Sequence, residues 1–72
     1  MSMATKVRML LAARDISITE LGKRLDPPTT IQNLSGKMKR DNFSEKELIA
    51  IAKACDAEFE GSFILNDSKK VI

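Results

Sequence analysis

With 72 residues, 43% of them apolar, the chain can build one small core. That is too little for a second domain or for an enzyme's own closed pocket, and no catalytic set is expected. His, Trp and Tyr are absent and Cys55 stands alone, which excludes the usual metal-ligand sets and disulfide frameworks and implies a reducing, cytoplasmic setting without a cofactor. The net charge of +2 hides an asymmetry: up to residue 40 eight cations face three carboxylates, leaving +5, and from residue 41 four cations face seven carboxylates, leaving −3. The first part suits a polyanion and the second should avoid one.

The opening "MSMATKVRMLLAARD" has an apolar run much shorter than a membrane span, flanked or interrupted by Lys6, Arg8 and Arg14 and lacking a small-residue cleavage site. It reads as a first helix over 4–14, with Val7, Leu10, Leu11 and Arg14 at helical spacing, and not as a signal peptide. Ser17 followed by Glu20 predicts a capping box and a second helix from Ile18, its apolar side formed by Ile18, Leu21, Gly22 and Leu25. Gly22 inside that helix implies close approach of a neighbouring backbone. "DPP" at 26–28 stops the helix. Thr29 or Thr30 then caps a third helix over 31–39, with Ile31, Leu34 and Met38 on its inward stripe. A second capping box, Ser44 with Glu47, opens a fourth helix that turns Leu48, Ile51, Ala52 and Cys55 inward, and Phe43 is placed as a hydrophobic staple.

The period changes in "EFEGSFIL": Phe59, Gly61, Phe63 and Leu65 alternate with Glu58, Glu60, Ser62 and Ile64, which predicts a strand within 57–66 and a tail over 67–72. A lone strand needs a partner. Either residues 69–72 fold back through the "NDSKK" turn, or the strand pairs with its copy across a two-fold axis, with Phe59, Gly61, Phe63 and Leu65 as the dimer strand. Glu58 and Glu60 mark its solvent face, and Cys55 is read as a buried small hydrophobe.

The third helix carries the functional signal. Its outer residues are Gln32, Asn33, Ser35, Gly36, Lys37 and Lys39. Gln and Asn can bond two edges of an adenine, Lys donates to guanine or phosphate, and Gly leaves room for a groove wall. Gln32, Asn33, Gly36 and Lys37 are therefore the candidate base contacts. Thr29, Thr30, Ser35, Lys39, Arg40 and Asn42 are candidate phosphate contacts, as is Lys23 on the exposed side of the second helix.

A capped helix, a turn and a polar-faced helix between two others is the helix-turn-helix plan. Residues 6 to 56, through "ISITELGKRL" and "NLSGKMKRDNFSEKELIAIAKACD", resemble the lambda-repressor/Cro-like proteins, also called the XRE family. Where members often carry Thr-Gln-x-x-Leu-Ala, a Leu-Ser pair and Ile-Ala-x-Ala-Leu, this chain has Ser17-Ile18-Thr19-Glu20-Leu21-Gly22, Leu34-Ser35 and Ile51-Ala52-Lys53-Ala54-Cys55. Ile18 stands where the family commonly has a phosphate-bonded Gln, so that contact is either absent or taken over by Ser17 or Thr19, and "DPP" lengthens the turn. The resemblance implies a mainly α, four-to-five-helix domain with a C-terminal strand paired across a dimer. It also implies a prokaryotic or phage regulator, a homodimer that reads double-stranded DNA among nucleoid-associated proteins. The alternative is a protein-interaction module of the same fold, such as an antitoxin or phage adaptor, with a partner encoded nearby.

Overall fold

The computed structural model describes residues 2–72. Four helices, α1 (Met3–Arg14), α2 (Ile18–Arg24), α3 (Ile31–Arg40) and α4 (Glu45–Ala54), are followed by two three-residue strands, β1 (Ala57–Phe59) and β2 (Phe63–Leu65). No helix among these residues is long and apolar enough to cross a membrane.

Each helix begins where a short hydroxyl side chain can accept an orphan amide. Ser2, Ser17, Thr30 and Ser44 take up the N–H groups of Thr5, Glu20, Asn33 and Glu47 respectively. The Ser44–Glu47 box is complete, since the Glu47 carboxylate also accepts from the Ser44 N–H at 2.9 Å. The Ser17–Glu20 box is only half formed. Ser17 Oγ accepts from Glu20 N–H, but the Glu20 carboxylate turns along the helix to Arg24, 3.9 Å away, because a cation one turn on competes for it.

Three helices end on an aspartate in the left-handed region: Asp15 (φ 55°) after α1, Asp41 (φ 52°) after α3 and Asp56 (φ 50°) beyond α4. A short polar side chain tolerates that conformation better than most. Two of these aspartates also bond across the fold. Asp41 Oδ1 accepts from Ala4 N–H at 2.7 Å, tying the end of α3 to the start of α1, and Asp56 Oδ1 accepts from Asn66 Nδ2 at 2.9 Å.

A single core is built from one side of every element: Val7, Leu10 and Leu11 from α1, Leu21 from α2, Leu34 and Met38 from α3, Leu48, Ile51 and Ala52 from α4, and Cys55, Ala57, Phe63 and Leu65 from the C-terminal part. Ile18, Leu25, Phe43, Phe59 and Ile72 close its margins. Fully burying such a Leu or Phe contributes about 1.5–3 kcal/mol relative to leaving it exposed. Ile31 departs from the expected inward stripe. As the first residue of α3 it lies beyond the neighbouring elements and is 44% exposed.

The expected strand is a hairpin. Ala57, Glu58 and Phe59 pair antiparallel with Leu65, Ile64 and Phe63, and the chain reverses at Gly61, whose φ of 75° suits a residue without Cβ. Gly61 thus belongs to the turn and not to a strand. Residues 70–72 then fold back on β2, with Phe63 and Ile72 exchanging both backbone hydrogen bonds and Leu65 N–H donating to Lys70 O. Both edges of β2 are therefore filled within the chain, and Phe63 and Leu65 pack into its own core. Phe59 and Phe63 meet as a tilted pair with ring centroids 5.3 Å apart.

Arg14, at the end of α1, fastens the C-terminal part. Its guanidinium donates to the carbonyls of Cys55 and Asp56 and, through two nitrogens, to both carboxylate oxygens of Asp67 at 3.0 and 3.1 Å. That hydrogen bond lowers the Asp67 pKa below the ordinary carboxylate range, and Arg14's own is raised in return.

Candidate nucleic-acid interface

The placement of α3 begins in α2. A Cβ at Gly22 would lie 2.5 Å from the carbonyl oxygen of Thr29, so only glycine allows the returning chain to lie against α2. Thr29 N–H also donates to Gly22 O at 3.0 Å. The turn after "DPP" is thereby clamped, Thr30 caps α3, Leu34 and Met38 anchor it, and Asp41 fixes its far end to α1.

Turning 100° per residue, α3 presents three sides. Leu34 and Met38 are buried. Opposite them come Gln32, Gly36, Lys39 and Arg40, of which the three with side chains are exposed. Between these lies a flank with Asn33 and Lys37, one turn apart. Both line a cleft of about 190 Å³ whose walls include Leu25, Leu34, Phe43 and Ile51, with Glu47 at the same opening. Ser35 lies on the other flank and is exposed.

The four candidate base contacts therefore divide into two pairs. Gln32 and Gly36 face outward. Asn33 and Lys37 are already engaged: Asn33 Nδ2 donates to Thr29 Oγ1 at 3.3 Å, and Lys37 Nζ lies 2.6 Å from Glu47 Oε2. The hydrogen bonds from Lys37 and from the Ser44 N–H hold the Glu47 carboxyl below its usual range.

Gly36 differs from Gly22. A Cβ there would meet only the end of the Arg40 side chain, at an ordinary 3.5 Å, and no neighbouring backbone. The fold does not require glycine at this position, although glycine in a helix costs about 1 kcal/mol relative to alanine.

The candidate phosphate contacts surround this face in varied states. Thr19, Lys23, Lys39, Arg40 and Asn42 are exposed, and none of the three cations has an ion-pair partner among the described residues. Ser17 and Thr30 are exposed while serving as caps, and Thr29 is half-buried in the turn. Arg24 donates to Ala54 O at 3.3 Å as well as approaching Glu20. Ile18, at the start of α2, packs against the core margin.

Sequence spacing did not reveal Glu47 as the partner of Lys37, Asp41 as an acceptor for α1, or Asp67 as the partner of Arg14. Each pair joins separate elements and has no local signature. The chain matches no protein-family model, no curated protein and no solved structure.

Proposed function

We propose that the protein is a sequence-specific double-stranded DNA-binding regulator that reads the major groove with the outer side of α3. The observation that carries this reading is the division of that helix. Two buried side chains attach it, and the opposite side offers an amide, two cations without an ion-pair partner among the described residues and a glycine the fold itself does not need. Gln32 supplies bidentate recognition of adenine, Gly36 admits a close groove wall, and Lys39 and Arg40 hold guanine edges or phosphates. Thr19, Lys23, Asn42 and the capping hydroxyls Ser17 and Thr30 flank them with further phosphate donors.

One copy carries one such helix and measures 31 × 24 × 20 Å. Successive major-groove half-sites on one face of a duplex are about 34 Å apart, so a full site takes two copies. The homodimer belongs to this proposal and, with β2 filled, would use β1's outer edge or a helical face. A repressor role follows most simply, because a bound dimer of this size blocks a promoter without needing any further contact.

A second reading, docking of another protein on α3, has exposed Ile31 in its favour, an apolar residue at the start of that helix on the flank shared with Ser35. Selection from a random duplex pool separates the two. DNA reading predicts enrichment of a short motif, with Gln32→Ala relaxing preference at one base pair by about 1–3 kcal/mol. Absence of enrichment would reject it in favour of the protein partner.

A further inference from the structure

Glu47 occupies a position that its own helix end makes rigid. It is the third residue of α4, its N–H is held by Ser44 Oγ at 3.1 Å, and its carboxylate accepts from the Ser44 N–H at 2.9 Å. The partial positive charge of the helix start favours a carboxylate there. Lys37 reaches this fixed anion from α3 at 2.6 Å, with the two side chains only 34% and 36% exposed. The ammonium thus already has a preorganised acceptor. Moving it to a phosphate would leave Glu47 unpaired beside a polyanion.

Lys39 and Arg40 are placed differently, exposed and without an ion-pair partner among the described residues. A neutral ion pair displaces no counterions from DNA, whereas an unpaired cation on a phosphate does. The three cations at the end of α3 are therefore not equivalent toward DNA, although composition alone counts them alike.

We infer that Glu47 is a positioning residue that withholds Lys37 from nucleic acid, so that the α3 face carries its phosphate-binding charge on Lys39 and Arg40. This rests on the DNA-reading function proposed above. It makes α4's capping glutamate a determinant of affinity and salt dependence without touching DNA itself. Neutralising Glu47 releases one further cation to the duplex.

The test is a salt series of duplex binding for the full chain in four forms: wild type, Lys37→Ala, Glu47→Gln and the double variant. Gln keeps the capping-box acceptor, so α4 retains its start. The expected result is an unchanged log–log salt slope for Lys37→Ala and a slope steeper by about 0.9 for Glu47→Gln, returning to the wild-type value in the double variant. An equal loss of slope on Lys37→Ala in both backgrounds, with duplex binding intact, would overturn this inference alone. Should Glu47→Gln fold poorly, as a melting curve would reveal, Lys37→Ala in the wild-type background decides: an unchanged slope supports withholding and a loss of about 0.9 overturns it. Wild-type protein that binds no duplex would remove the DNA-reading function and this inference together.

Discussion

Gly22 and Gly36 stand in helices one after the other, and a single methyl group tells their roles apart. At Gly22 the methyl would collide with the Thr29 carbonyl, so Gly22→Ala should destabilise the fold by about 1–3 kcal/mol, read as a lower denaturant midpoint. At Gly36 the methyl meets only the Arg40 side-chain end. Gly36→Ala should raise stability by about 0.5–1 kcal/mol through helix propensity while weakening duplex binding. If Gly36→Ala bound DNA as well as wild type, the groove wall would not approach that position. The left-handed aspartates make a similar contrast. Asp15 has no side-chain hydrogen bond or ion pair among the described residues, so Asp15→Gly should stabilise by about 0.5–1 kcal/mol by relieving backbone strain and removing an anion from a helix C-terminus. Asp41→Gly gains the same relief but loses the acceptor for Ala4 N–H, and should melt below Asp15→Gly in parallel scans.

The starts of α2, α3 and α4 were legible because a cap is local, a hydroxyl bonding an amide three residues away; Ser2 caps α1 in the same way but was not singled out in the sequence. The α3 inward stripe was legible only at Leu34 and Met38, because whether Ile31 finds a neighbour depends on where other elements end. In the C-terminal segment the return of the tail onto the strand was one of the two expected partners and is the one seen, but the reversal inside the segment was missed for a different reason. Phe59 and Phe63 are cross-strand partners four positions apart, an even offset, so alternation continues unbroken through the Gly61 turn and a hairpin has the same pattern as one straight strand. What fastens this hairpin and its tail was invisible, since Arg14 and Asp67 are far apart in sequence. That pair sets a pH dependence. Asp67 has a folded pKa below its unfolded value, so its contribution is complete above the unfolded value of about 4 and is lost as pH falls through the folded one. Asp67→Asn should therefore melt below wild type at pH 7, and the gap should narrow towards pH 3. A gap independent of pH would show that the ion pair is not its cause.

Across the molecule, charge is sorted by use as well as by position. Of the cations before residue 41, Arg14 and Arg24 bond carbonyls at and just beyond the end of α4, Lys6 donates to Gly61 O and Lys37 is held by Glu47, leaving Arg8 on α1, Lys23 on α2 and Lys39 and Arg40 on α3 exposed without an ion-pair partner among the described residues. Glu58 on β1 and Glu60 in the turn after it are exposed to solvent in the C-terminal part of the chain. On the proposed reading, the exposed cations of α2 and α3 would turn a polyanion toward those helices. The account therefore rests on whether the outer side of α3 reads duplex DNA. The most direct measurement is fluorescence anisotropy with duplex from upstream of the protein's own coding sequence and with a shuffled duplex, across about 50–200 mM salt. Tighter binding to the native duplex, with a linear log–log salt slope that Lys39→Ala and Arg40→Ala each reduce by about 0.9, is the predicted result. Equal, weak binding to both duplexes, unchanged by either substitution, would contradict the account.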